Sequence, residues 1–197
     1  MAGIRRPFIL AVALALTGTA AASPPAAPAA ESDCSIRPDR AADAPRFEDF
    51  PAAMRPVTRQ AGLILDTAQA RRHRSLLAGE AAQGPNFAGT YTIAAWGCGA
   101  ACTAFAIIDA RTGRVHFPAG FSRIVGVHVG GYGAPGPPRY ANLRFRPDSR
   151  LLVVLGAPEG DEARHGAAWF EWTGTALRPL RFVPRRDLCG QAEPAHH

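Results

Sequence analysis

From residue 90 onwards, the pattern of apolar and polar positions is mostly of period two. The stretches are TYTIAAWG (90–97), TAFAIIDA (103–110), GRVHFP (113–118), RIVGVHVG (123–130), YANLRFR (140–146), RLLVVLG (150–156), AAWFEW (167–172) and TALRPLRFV (175–183). Each is short, rich in β-branched or aromatic residues and bounded by turn formers, which predicts a series of strands. The turns have identifiable chemistry. In DARTG, Asp109 can bond its own downstream backbone while Gly113 supplies a positive φ, closing a hairpin with a bulge. In RPDS, Pro147 presets φ for a turn ahead of Asp148, and Gly174 in WTGT marks another hairpin tip. Consecutive hairpins predict a mainly antiparallel arrangement.

One segment ahead of the strands carries helical spacing, from about Thr67 to Ala82. Ala70, His73, Leu77 and Ala81 fall on one face with Leu76 beside them. Asp66 is the expected cap with Gln69 reaching back, and Gly84-Pro85 ends the helix. His73 on this stripe reads as a buried histidine with one hydrogen-bond partner, or as a ligand. FRPDSRLLVV has the flavour of a propeller blade, but no repeat of about 40–45 residues is visible. The expected fold is mainly β (α+β): an antiparallel meander sheet or small β-sandwich with one N-terminal flanking helix.

The N-terminus reads as an export signal over residues 1–22. Arg5 and Arg6 form the positive region, Phe8 to Leu16 the apolar run, and Ala20-Ala21-Ala22 a cleavage site before Ser23. The apolar run falls short of the roughly 20 residues that a helix needs to span a bilayer. Residues 23–33 form a Pro/Ala-rich linker, 34–190 a single domain large enough to bury a core, and 191–197 a tail ending in His196 and His197. The expected location is periplasmic or secreted, with no stable membrane span. All 22 basic residues are arginine, and the formal charge of +6 falls to +4 without Arg5 and Arg6. Such a balance would suit an envelope protein or an anionic envelope polymer as partner, but no arginine cluster stands out beyond ARRHR, so an ordinary solvated surface is the better reading. Nucleic acid is excluded by compartment and by the lack of a reader motif.

Three further patterns stand close together: Asn86-Phe87-Ala88-Gly89-Thr90-Tyr91, then Trp96-Gly97-Cys98-Gly99-Ala100-Ala101-Cys102, then Ile108-Asp109-Ala110-Arg111-Thr112-Gly113-Arg114-Val115. With RPDSRLLVV (146–154) and WFEW (169–172), they resemble an uncharacterised family of exported bacterial proteins. Its pattern is NFAGxY, WGCGxxC and IDxxTGxV. Where that pattern often carries histidine after the NFAG element, this chain has Thr90. The resemblance implies a localisation and a core pattern, and no activity.

The four cysteines, Cys34, Cys98, Cys102 and Cys189, are an even number in a chain expected to be exported, which favours disulfides. Three pairings are possible. In an extended strand, positions four apart are separated by about 13 Å, so a Cys98–Cys102 bond requires a tight turn, which Gly97 and Gly99 permit. Cys98–Cys102 with Cys34–Cys189 is preferred over the crossed pairings. The alternatives are a thiol-redox pair, although the usual spacing is Cys-x-x-Cys at a helix N-terminus, and zinc with His116 or His128, for which no ligand spacing exists.

Other chemistries fare worse. GYGAPG (131–136) satisfies the dinucleotide spacing, but Pro137-Pro138 blocks the helix that must follow. The surrounding loop offers Tyr132, Arg139 and Tyr140, which with Trp96 form a candidate binding surface, since aromatics and arginine dominate hot spots; the loop reads equally as a flexible connector. No Gly-x-Ser-x-Gly, phosphate loop or metalloprotease motif is present. Asp161-Glu162 reads as a solvated pair. No catalytic residue, metal ligand or cofactor is assigned. The reading is an exported, disulfide-stapled, non-catalytic binding or envelope-associated module. The alternative is a small periplasmic enzyme or thiol-redox protein using Cys98 and Cys102.

Overall fold

A computed structural model of the chain describes residues 35–126 and 142–190. The strands are β1 (Ser35–Ile36), β2 (Tyr91–Gly99), β3 (Cys102–Asp109), β4 (Val115–His116), β5 (Ile124–Val125), β6 (Leu143–Arg144), β7 (Leu151–Pro158), β8 (Gly166–Trp172), β9 (Leu177–Pro184) and β10 (Cys189–Gly190). The helices are α1 (Ala68–Arg72), α2 (Arg74–Ala81) and α3 (Arg185–Leu188). Among the described residues, eight strands form one antiparallel sheet in the order β2-β3-β5-β7-β8-β9, with β4 on β3 and β6 on β7. β1 and β10 pair separately. The mainly β expectation holds.

The sheet folds back on itself, which follows from where its apolar side chains go. Ile93, Ala95, Phe105 and Ile107 of β2–β3 meet Leu152, Val154, Phe170 and Trp172 of β7–β8 in one interior cluster. The alternate residues face outwards and need separate covers. On β2–β3, Ala94, Ala106 and Ile108 lie under Ala70, Leu77 and Ala81 of α1–α2. On β7–β8, Leu151, Val153, Leu155, Ala167 and Trp169 lie under Ile36, Leu188 and the segment around Ala41 to Phe50. With both faces covered, β7 is buried throughout. That is why RLLVVLG reads as a continuous apolar run rather than an alternating one.

The turns form as their residues dictate. The Asp109 carboxylate accepts from Arg111 N (2.9 Å) and Thr112 Oγ1 (2.9 Å), and Gly113 takes φ +75°. Gly174, at φ +96°, turns β8 into β9. Ser149 N donates to Arg146 O across the Pro147-Asp148 turn.

The helix departs from expectation. Thr67, not Asp66, is the cap: its Oγ1 accepts from Ala70 N at 3.0 Å. The helix also breaks at His73, whose φ/ψ of −100°/16° separates α1 from α2. His73 N still donates to Gln69 O and its O still accepts from Leu77 N, so the break is local. It coincides with the His73 ring resting on Trp96, centroids 4.6 Å apart. Among the described residues, no helix is long and apolar enough to cross a membrane.

Candidate functional site

Strand register assembles a site that sequence spacing does not reveal. Arg144 pairs with Val153 across β6–β7, and Val153 pairs with Trp169 across β7–β8. Directly opposed residues project from the same face. These three side chains therefore form a row on the outer face of the sheet.

Residues 38–47 cross this row as a strap. Arg37 N donates to Leu188 O (3.1 Å) and Arg40 Nη1 to Cys189 O (2.7 Å) at one end. In the middle, Arg181 Nη1 donates to Asp43 O (3.0 Å). At the far end, the Ser149 hydroxyl donates to Phe47 O (2.8 Å). Between strap and sheet remains an open groove of about 540 Å³, within the usual ~300–1,000 Å³ of ligand sites. Its floor is Val153 and Trp169, which the strap leaves only 4% and 3% exposed. Ala41, Ala44, Pro45 and Phe47 form the apolar wall, and Asp39, Asp43, Arg46 and Arg144 supply the charges.

The charges differ in setting. Arg144 is half-buried, burial pulls its guanidinium pKa down, and its Nη1 donates to Leu143 O (3.2 Å). Asp39 sits at the exposed rim, and the hydrogen bond from Arg37 holds its carboxyl below the ordinary value.

A second polar cluster lies at the β2–β4 end. His116 and Tyr91 both contact Trp172, with centroids 5.3 and 5.4 Å from its ring, each nearly edge-on. Burial, and secondarily Arg114, lowers the His116 pKa and so favours the neutral imidazole. Burial and the nearby Asp109 charge raise that of Tyr91. The Trp172 indole N–H is buried without a hydrogen-bond partner among the described residues.

The cysteine motif forms a hairpin tip. Gly97 pairs with Thr103 and Gly99 with Cys102, leaving Cys98 as the extra residue of a β-bulge. The bulge, with φ of +138° at Gly99 and +51° at Ala101, brings the two Cα atoms to 5.1 Å, and Cys98 and Cys102 are joined as a disulfide. Cys98 is exposed and Cys102 half-buried. Cys189 is also disulfide-bonded. Its expected partner, Cys34, lies outside the described residues and adjoins β1, which pairs with the strand carrying Cys189.

Of the candidate binding surface, Trp96 is half-buried in the helix-covered cluster against His73. Tyr132, Arg139 and Tyr140 lie outside the described residues, as does His128. Asp161 caps a single 3-10 turn by accepting from Ala163 N (3.0 Å), and Glu162 meets His165 at 3.0 Å. Both carboxylates are exposed, as a solvated pair requires. Thr90 is buried at the start of β2, its backbone bonded to Ala110. Sequence reading missed Arg144, Val153 and Trp169 as a unit. The alternation within LRF, LVV and AWF assigns each to a face, but only register aligns them.

No protein-family profile, curated protein or solved structure matches the chain.

Proposed function

We propose that this chain is an exported, disulfide-stapled module that binds a small ligand with an apolar body and one anionic group, without transforming it. The observation that carries the binding role is the groove: an aromatic and aliphatic floor, an apolar wall and a half-buried guanidinium at one end. The apolar wall of Ala41, Ala44, Pro45 and Phe47 holds the ligand body, and Arg144 orients the anion by charge-assisted hydrogen bonds. Export rests on the arginine-led apolar leader, on the even cysteine count and on the resemblance of NFAGTY, WGCGAAC and IDARTGRV to exported bacterial proteins.

Isothermal titration with 1-naphthoate and decanoate, one aryl and one acyl carboxylate, tests the binding role. At least one should bind, and Arg144→Gln should weaken it about tenfold or more, the usual scale for a charged hydrogen bond. Binding unchanged in Arg144→Gln, or no binding of either probe, contradicts the assignment.

One observation favours a second reading, thiol exchange: Cys98 stands exposed at the hairpin tip. A dithiol reductant would attack there and release the Cys102 thiolate. Rapid alkylation of both cysteines under mild dithiol, with the native fold retained, would favour this reading over a purely structural bridge.

A further inference from the structure

We propose that the face formed by residues 51–66, α1–α2 and the β3–β4 turn docks on an anionic lipid leaflet, independently of the groove. The argument starts from where the charge sits. Arg55 and Arg59 lie on the extended 51–66 segment, Arg71, Arg72 and Arg74 on the helices, and Arg111 and Arg114 in the turn. All seven are exposed, and among the described residues none makes an ion pair. The carboxylates of the same segments are three: Asp66, Glu80 and Asp109. Asp109 is already engaged by its own turn.

Everything else after Arg5 and Arg6 is balanced, with thirteen arginines against thirteen carboxylates. Many of these do meet: Arg146 with Glu48 and Asp148, and Glu171 with Arg150 and Arg178, in a cluster that adjoins the start of the 51–66 segment, where Ala52 N donates to Asp148 O (2.8 Å) and Arg150 Nη1 to Pro51 O (2.5 Å). These segments therefore carry the surplus of four positive charges.

Residues 61–66 join the segments. Ala61 N donates to Ala110 O (3.0 Å) and Ile64 N to Gly113 O (2.8 Å), which seats the extended segment beside the turn. Arg71 Nη1 donates to Leu65 O (3.1 Å) and Asp66 O (3.0 Å), which ties the helix to the same segment.

What distinguishes a bilayer from a soluble polyanion is the apolar content of the face. Met54 is 58% exposed and Ile64 38% exposed, two of the three exposed large apolar side chains among the described residues. Both stand on the segment that carries Arg55 and Arg59. Guanidinium groups pair bidentately with lipid phosphates, and exposed apolar side chains among them gain by entering the acyl boundary.

Vesicle co-sedimentation of the chain from Ser23 onwards tests the proposal, using phosphatidylcholine alone and phosphatidylcholine with phosphatidylglycerol. Phosphatidylglycerol should strengthen binding, and added salt should weaken it. At about fivefold per charge near the surface, an Arg55→Glu, Arg59→Glu, Arg72→Glu, Arg74→Glu variant should bind at least about 100-fold more weakly. Its melting temperature should stay unchanged, and a Met54→Ser, Ile64→Ser variant should bind several-fold more weakly. The same loss should appear in Arg55→Gln, Arg59→Gln to a smaller degree, which covers any misfolding of the charge reversal. Equal binding to both vesicles, insensitivity to the arginine variants, or retention on heparin without vesicle binding would overturn the proposal. The last result would assign the face to a soluble polyanion.

Discussion

His116 meets Trp172 nearly edge-on, with ring centroids 5.3 Å apart and an interplanar angle of 77°. Val115, the other residue of β4, packs instead under the helices. The two-residue strand thus divides its side chains between the interior and the helix-covered cluster.

Burial lowers the His116 pKa below its ordinary 6.5. The unfolded chain then binds more protons between the two values, so stability rises with pH across that window. His116 contributes stability that is fully present above 6.5 and is lost as pH falls towards its folded value. Denaturant midpoints of wild type should drop between neutral and mildly acidic pH, and His116→Gln should flatten that drop.

Gly113 tests the β3–β4 turn. It sits at φ +75°, and a Cβ there would strike the carbonyl of Gly62. Gly113→Val should cost about 2 kcal/mol or more, from positive-φ strain plus the collision. Urea unfolding measures the loss, and an unchanged midpoint would contradict the turn geometry.

The two disulfides should differ in worth. The five-residue loop closed by Cys98–Cys102 contributes about 2 kcal/mol in the chain-entropy relation, whereas Cys34–Cys189 would contribute about 5 kcal/mol. Cys98→Ala/Cys102→Ala should therefore fold with a lowered melting temperature, and Cys34→Ala/Cys189→Ala should lose more. Non-reducing peptide mapping checks the pairing. A Cys34–Cys98 or Cys98–Cys189 peptide would refute it.

Glu171 accepts from Arg150 at 3.0 Å and also from Arg178, and the Arg178 hydrogen bond is the main cause of its lowered carboxyl pKa. Both guanidiniums are partly in solvent, at 41% and 57% exposure, so the pairs should be weak and screened. Glu171→Gln should cost about 0.5–1 kcal/mol at low salt and less at high salt.

The fold was legible because local chemistry agrees with it. Asp109 and Gly113, Pro147 and Gly174 each specify a turn in their own residues, and the strands between them follow. The Cys98–Cys102 bridge was legible as a possibility, since Gly97 and Gly99 permit a bulge. The helix was misread where tertiary contact intervened: Thr67 outcompeted Asp66 for the cap, and the break falls at His73, on Trp96. The groove was not legible, because Arg144, Val153 and Trp169 meet only through the register of three strands. The covering strap is shaped by contacts more than 100 residues away in sequence, such as Ser149 with Phe47. The arginine face was hidden for a related reason. Its residues are scattered in sequence, and ARRHR alone marks only part of it.

The most direct measurement is a heteronuclear NMR titration of the folded chain with 1-naphthoate and with decanoate. Binding in the groove predicts saturable shifts at the Trp169 indole N–H and at the amides of Ala41, Ala44, Phe47, Arg144 and Val153. The Trp96 indole and the α1–α2 amides should stay fixed. Shifts confined to the helices or to the Cys98–Cys102 tip, or no shifts with either probe, would contradict the account.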